Sequence, residues 1–328
     1  MDISSLFEAF NGKRVLVIGD VMTDAYINGN VSRMSPEAPV PVVDLSAQEQ
    51  RIGGAGNVAL NLIALGASAV LAGVVGADTA GQELQQLLEN ANIDTSPLLV
   101  SSERKTTIKT RVLAGGKHLL RIDSEDQHDL NYQEESLLQQ KITTCLHQGV
   151  DGILLEDYNK GVLTKTLIEW LISEANSRNI PVVVDPKKKN FLAYKGCTLF
   201  KPNLKELKEG LLLEFNYAKD TTALKKAIEQ LQALLQCNYT FVTLSEYGVQ
   251  LFDGQTHHNL AAHKRNIADV SGAGDTVIAT TCLSLICGAE PKLIAALANL
   301  AGGLVCESPG VVSINKQQLK AEALQLKY

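Results

Sequence analysis

The sequence predicts an α/β fold: a mostly parallel central sheet, crossover helices and a small β lid. Three observations carry this. Short apolar runs rich in β-branched residues alternate with stretches of helical spacing along most of the chain. Those runs are apolar at consecutive positions, as strands buried on both faces require. Two segments, 39–51 and 106–123, alternate polar and apolar residues instead and fall outside that rhythm.

Taken in order, VLVIG (15–19) is the first buried strand. The helical pattern of 55–66 leads into AVLAGVVG (69–76), read as a second strand. GILLE (152–156), VVVD (182–185), TLFKPN (198–203) and FVTLS (241–245) follow as strands, with helical spacing over 133–148, 164–178 and 221–236. From 273 to 307 two apolar helices are separated by GAEP, a turn signal. PVPVVDLSAQEQR (39–51) and TTIKTRVLAGGKHLLRID (106–123) read as strands outside the main sheet, the second folded into a hairpin around AGGK. No repeat, low-complexity tract or linker interrupts the pattern. Residues 1–328 therefore read as one domain, with lid strands in about 21–51 and 105–123.

Composition narrows the function classes. The chain has 328 residues, 45% hydrophobic and 20% charged, an ordinary balance for a globular protein. A net charge of −6 disfavours nucleic acid or an anionic membrane as a partner, although a local basic patch can still hold a small phosphorylated ligand. The six cysteines show neither C-x-x-C nor zinc spacing, so reduced, buried thiols and a cytoplasmic setting are expected. The start, MDISSLFEAFNGK, carries acids and no apolar core of a secretory signal. The most membrane-like stretch, Val58 to Gly76, is interrupted by Asn61, Ser68 and glycines, and reads as a helix followed by a buried strand.

In open α/β sheets, ligands lie beyond the carboxyl ends of the strands. Polar residues gather there: Gly19-Asp20, Asp157, Asp185-Pro186-Lys187, Asn203 with Glu206, and Ser245 with Gly248. Together they are expected to line one crevice. No G-x-x-x-x-G-K-[ST] loop is present. GAGNVA (54–59) fits the dinucleotide pattern G-x-G-x-x-A, but it follows the polar SAQEQRI rather than the first strand, which argues against a nicotinamide site. The same IGGAGN segment supplies Gly53, Gly54 and Gly56 for close backbone approach and Asn57 as donor and acceptor; a tight turn opening a helix accounts for it equally. His257 and His258 are expected in a solvated turn, and neither H-E-x-x-H nor G-x-S-x-G occurs. Lys109 and Arg111, two apart on a strand, point to one face, with Arg121 on the partner strand. Beside Arg33 they would form a site for a phosphate, which arginine recognises bidentately.

DVSGAGDTV (269–277) admits two readings. Asp and Thr cap helices; alternatively, the glycine loop holds an anion and the acid acts on its neighbour. GD, GGAGN, DPK, KPNLKE and DVSGAGDT, taken together and in this order, resemble the ribokinase-like (pfkB-type) carbohydrate kinases over nearly the whole chain. MTDAY, RMSPEAPVPVV and DYNKG look most like the branch acting on D-glycero-β-D-manno-heptose 7-phosphate. The resemblance implies a three-layer α/β/α fold and phosphorylation of the sugar's anomeric hydroxyl by ATP with Mg²⁺. It implies Asp275 as general base, with Gly272, Ala273 and Gly274 as the anion hole. Asn203 and Glu206 would organise Mg²⁺, through water, and the ATP phosphates. Lys187 and Ser245 would contact the nucleotide, Gly248 would permit its approach, and Asn299 would lie near its ribose or base. Asp20, Gly53, Gly54, Asn57 and Asp157 would hold the sugar, and Arg33, Lys109 and Arg111 its distal phosphate. Some relatives carry a monovalent cation near the equivalent of Asp269. The helix N-terminus is expected to keep Asp275 ionised, the lid to exclude water, and exposed lid edges to pair two subunits. Relatives of the heptose branch are often fused to a nucleotidyltransferase with an H-x-G-H motif. This chain stops at Tyr328 without one, implying the kinase step alone or a piece of a longer protein. Two alternatives stay open: another sugar or sugar-phosphate kinase of this fold, and a non-catalytic sensor that kept it.

Overall fold

The computed structural model describes residues 2–217 and 220–326. In chain order the elements are α1 (Ile3–Ala9), β1 (Arg14–Gly19), β2 (Val21–Met34), β3 (Pro41–Gly54), α2 (Ala55–Ala64), β4 (Ser68–Ala72), β5 (Val74–Gly76) and α3 (Thr79–Asn90). They continue with β6 (Leu99–Ser101), β7 (Thr107–Ala114), β8 (Lys117–Ser124), α4 (Tyr132–Gln148), β9 (Gly152–Glu156), α5 (Lys165–Ser177), β10 (Val182–Asp185), β11 (Leu199–Phe200) and α6 (Leu204–Gly210). The last are α7 (Thr221–Leu235), β12 (Tyr239–Thr243), β13 (Val249–Phe252), β14 (His257–Leu260), α8 (Ala273–Ile286), α9 (Pro291–Val305) and α10 (Lys316–Ala323).

Eight strands form the central sheet in the order β14-β13-β12-β11-β10-β9-β1-β4. β4 through β12 pair in parallel, and β13 and β14 add antiparallel edges. Alternation along a strand sends successive side chains to opposite faces. On β1, Val15 and Val17 join one apolar cluster with α1, α2, α8, α9 and α10, while Leu16 and Ile18 join another with α4, α5, α6 and α7. This is the expected three-layer α/β/α arrangement. α8 is buried nearly all round, as an apolar helix without a polar stripe must be.

A second sheet, β3-β2-β7-β8, is the lid. β2 and β3 are antiparallel partners, β2 and β7 run parallel, and β7 turns into β8 through Gly115 and Gly116.

Three local expectations need correction. Residues 69–76 form two strands rather than one. β1 offers partners only as far as the Ile18–Ala72 pair, so Val74–Gly76 leaves the sheet to pair with β6. TLFKPN is a regular strand only at Leu199 and Phe200, with a further isolated bridge from Asn203 to Thr243, because Pro202 has no N–H to donate and Asn203 caps α6. His257 and His258 lie on β14, and each ring sits 2.9 Å from a carboxylate, Glu229 and Asp253 respectively. They are partly buried rather than solvated because β14 closes the edge of the sheet. Among the described residues the six cysteines are free and buried, and no helix is long and apolar enough to cross a membrane.

Candidate active site

The carboxyl ends of β1, β9, β10, β11 and β12 bring the expected polar residues to one rim of the sheet, with the N-terminus of α8 facing them. Gly272 caps α8 in a left-handed conformation, φ 79°. A Cβ there would lie 3.0 Å from the Asn57 amide, so glycine both permits the turn and leaves Asn57 its approach.

Asp275, in the first turn of α8, is 4% exposed. Its Oδ2 accepts from Asn57 Nδ2 at 2.6 Å and its Oδ1 from the Tyr158 hydroxyl at 2.8 Å. Burial pushes its pKa up to about 6; the two donors pull it down, and the carboxylates of Asp185 and Asp24 add to the rise. The acid was expected to stay ionised at this helix end; desolvation outweighs the donors and brings its titration closer to neutrality than an exposed aspartate's. A carboxyl poised near 6 is still largely ionised at neutral pH and is a stronger base than an ordinary aspartate.

One of the three N–H groups expected to form an anion hole has a partner within the chain. Ala273 N–H is engaged by the Val270 carbonyl at 3.3 Å, because the 270–273 turn closes on itself. Gly272 and Gly274 supply the remaining backbone donors at this helix end.

Several expected sugar ligands have other partners. Asp20, 1% exposed, accepts backbone N–H groups from Tyr158, Lys160 and Val162. It pins the loop after β9, with two of these bonds on Oδ2 and one on Oδ1. Asn57 turns one amide N–H to Asp275. Gly53 and Gly54 abut the chain's own atoms, since a Cβ would come within 2.3 Å of the Asp24 carboxylate or the Asp20 carbonyl respectively. Asp157 accepts from Tyr194 OH and from Asn159 N–H, and burial with the nearby Asp20 lifts its pKa to about 6.

The lid separates the three cations expected at the distal phosphate. Lys109 and Arg111 pair with Asp24 and Tyr26 of β2. Arg111 forms a close ion pair with the buried Asp24, so its charge is already matched. Lys109 reaches down to Tyr158, with its ammonium 4.9 Å from the ring centroid; burial and the neighbouring Lys160 lower its pKa. Arg33 stands seven residues beyond Tyr26, on an exposed stretch past the Gly29–Ala114 end of the β2–β7 pairing. At ~3.3 Å per residue it lies roughly 23 Å along the strand from Arg111's partner. Arg33 is not beside the other two cations, because register, invisible in composition, set its place. Arg121 lies opposite Arg111 but turns to Asp123.

On the other side of the crevice, Asn203 and Glu206 form a reciprocal capping box on α6, each side chain accepting the other's N–H at 2.8 Å. The second Glu206 oxygen holds Lys187 Nζ at 2.6 Å. Burial would lower the Lys187 pKa, but the Asp185 and Glu206 carboxylates hold it above the usual lysine value. Asp185 is paired with the buried Lys201 at 2.8 Å. The Asn203 and Glu206 side-chain oxygens thus all have partners within the chain, and among the described residues no cluster of three or more His, Cys, Asp or Glu could hold a metal ion by itself; a magnesium ion here could be met only through water and phosphate oxygens.

A cleft of about 620 Å³ opens beside Gly274 and is lined by Ser245, Gly248, Arg265, Asn299 and Gly303 among others. Ser245 has a left-handed backbone, and Gly248 has φ 91° with a Cβ position only 2.0 Å from the Leu260 carbonyl. Only glycine closes this turn. Asn299 Nδ2 donates to the Ala261 carbonyl at 2.8 Å, tying α9 to the segment after β14.

Sequence reasoning missed Asp24 and Tyr158. The signal for each was present: Asp24 lies within the quoted MTDAY, and Tyr158 follows Asp157 at the carboxyl end of β9.

A buried acid at a helix start, a cation under a β lid and a cleft along the sheet edge are the arrangement expected of a sugar kinase of the three-layer α/β/α type. The chain belongs to the pfkB family of carbohydrate kinases, whose family model matches residues 13–318. It is 42% identical over 308 residues to the bifunctional protein HldE of Methylobacillus flagellatus, covering 94% of this chain and 62% of that protein. With the bifunctional protein HldE of Sulfurimonas denitrificans the identity is 36%, over 94% of this chain and 63% of that one. The chain thus spans less than two thirds of these relatives. Phosphofructokinase-2 from Escherichia coli in complex with potassium shares the fold at a TM-score of 0.78 and 20% identity, covering 95% of this chain and 99% of that one. Arabidopsis thaliana ribokinase complexed with ribose and ATP does so at 0.73 and 14%, covering 96% and 100%.

Proposed function

We propose that this chain transfers the γ-phosphoryl group of ATP to the anomeric hydroxyl of D-glycero-β-D-manno-heptose 7-phosphate, giving the 1,7-bisphosphate on the route to ADP-heptose. The observation that carries the reading is Asp275, buried at the start of α8 with a pKa pushed up to about 6. A binding module has no use for an acid held at that cost. The heptose assignment is supported by the resemblance of MTDAY, RMSPEAPVPVV and DYNKG to the heptose 7-phosphate kinases, and by the unmatched charge of Lys109 under the lid.

In this reading Asp275 takes the proton from the acceptor hydroxyl as that oxygen attacks the phosphorus. The N–H groups of Gly272 and Gly274 stabilise charge on the transferring phosphoryl oxygens, and Lys187 lies against the same phosphates. ATP occupies the cleft beside Gly248 and Asn299. Asn203 and Glu206 would hold Mg²⁺ through water, and the ion would supply charge neutralisation on the phosphates. Lys109 meets the sugar's distal phosphate, and lid closure keeps water from the γ-phosphoryl. A monovalent cation near Asp269 would appear as potassium-dependent turnover.

The lid also supports a homodimer. Leu45, Leu120 and Ile122 are 59%, 54% and 51% exposed, and β8 is an unpaired edge, the kind of strand that recruits a partner.

The decisive experiment replaces Asp275 by Asn. Turnover is expected to fall by roughly two orders of magnitude or more while ATP still binds; near-normal turnover would sink the assignment. An ATP-to-ADP assay against sugar 7-, 6- and 5-phosphates and free sugars then identifies the acceptor, and a preference for a free sugar would overturn the role of Lys109.

A further inference from the structure

Tyr158 has no part in the chemistry assigned so far, yet it stands at the centre of the site. It follows β9 in the loop that Asp20 pins through the N–H groups of residues 158, 160 and 162. Its hydroxyl donates to Asp275 Oδ1 at 2.8 Å, opposite the Asn57 amide on Oδ2. Its ring carries the Lys109 ammonium of the lid at 4.9 Å and the Lys187 ammonium of the nucleotide side at 5.5 Å from the centroid. Cations over an aromatic face attract through the ring quadrupole, more strongly where water is excluded. One side chain therefore touches the base, the lid cation and the cation beside the phosphates.

We propose that Tyr158 is a positioning residue: its hydroxyl orients the Asp275 carboxylate for the acceptor, and its ring seats Lys109 and Lys187 on either substrate's approach. The inference rests on Asp275 being the base. With both carboxylate oxygens anchored, the carboxylate cannot rotate, and each oxygen keeps a further lone pair for the acceptor hydroxyl. The hydroxyl also favours the charged form of Asp275, as does Asn57, against burial and the carboxylates of Asp185 and Asp24. Other titratable groups facing this pocket are Glu156 at the end of β9, whose pKa burial and the neighbouring Asp185 raise well above the usual carboxylate range, Lys187, and Lys201 and Arg111, which are matched by Asp185 and Asp24. The Tyr158 phenol itself stays protonated, since burial and the carboxylates of Asp275, Glu156 and Asp185 raise its pKa well above the ordinary value.

Tyr158→Phe separates the two roles, because it removes the hydroxyl and keeps the ring. Loss of one donor to the charged carboxylate is expected to move the acid limb of kcat/KM upward by roughly half to one pH unit. The freed carboxylate should lower kcat by roughly tenfold, with KM for ATP unchanged. An acid limb that stays in place, or moves down, would overturn the orienting role. Infrared titration of the Asp275 carboxyl in the substrate-free protein reads the same shift without turnover, with Asp275→Asn identifying the band. Tyr158→Leu removes the ring as well and is expected to raise KM for the sugar phosphate several-fold beyond the Phe variant. Equal KM values in the two variants would remove the ring from the proposal. Combined with Asp275→Asn, Tyr158→Phe should cost nothing further, since the hydroxyl acts through that carboxylate. If Asp275→Asn alone keeps its turnover, the kinase mechanism fails; if it is inactive and the Tyr158→Phe acid limb is unmoved, only the present inference fails.

Discussion

Asp275 has to be buried and ionised at once, and the two demands conflict. Its pKa of about 6 in the folded chain exceeds the ~3.9 of an unfolded aspartate. The folded state therefore binds this proton more tightly, and stability falls as pH rises between those values. The cost is absent below about pH 4 and complete above about pH 6–7, where it amounts to up to ~3 kcal/mol. Asp275→Asn should consequently melt a few degrees above the wild type at pH ~8 while being inactive, and the difference should close as pH falls towards ~4. A variant less stable than wild type at both ends would contradict the burial cost. Activity runs the other way: kcat/KM should fall on the acid side of about pH 6, where the base takes up its proton.

At the scale of single elements, strand β7 carries two cations with different duties. Arg111 neutralises Asp24, and both side chains are largely buried. Arg111→Ala leaves that carboxylate uncompensated and should cost about 3–5 kcal/mol, seen as a lower urea midpoint. Lys109 has no carboxylate partner among the described residues and stacks on Tyr158. Lys109→Ala should leave the urea midpoint nearly unchanged and raise KM for the sugar phosphate far more than KM for ATP. Equal effects on the two substrates would mean that the distal phosphate binds elsewhere. The turn after β12 makes a third test. Gly248→Ala forces a Cβ onto the Leu260 carbonyl at φ 91°, so it should destabilise the chain by more than ~1 kcal/mol and weaken ATP binding measured by calorimetry.

Over the whole molecule, the central sheet is a fixed platform and the lid is the part left unsatisfied. Apolar side chains of β3 and β8 face outward, and β8 lacks a neighbour on one side. In the proposed dimer this edge meets a second copy. Leu120→Lys should shift the sedimentation coefficient from dimer towards monomer and lower turnover, because an unpaired lid covers the crevice less well. A wild-type chain that sediments as a monomer at micromolar concentration would remove the dimer.

What the sequence alone determined is the platform and its chemistry-bearing rim. Strands β1, β9 and β10 were legible because a strand buried on both faces is apolar along nearly its whole length, and these runs are too short for helices. The rim was legible because polar residues recur where each such run ends, and the SGAGDT turn announces a glycine-capped helix carrying an acid. The tertiary structure decided what each of those residues touches. Lid register placed Arg33 far from Lys109 and matched Arg111 to Asp24, since a hairpin's face is local but its pairing partner is not. Packing turned Asp20 towards the loop after β9, Asn57 towards Asp275 and Ala273 N–H towards its own turn. Burial, which depends on every neighbour at once, moved the pKa of Asp275, and the loop after β9 brought the Tyr158 hydroxyl onto it.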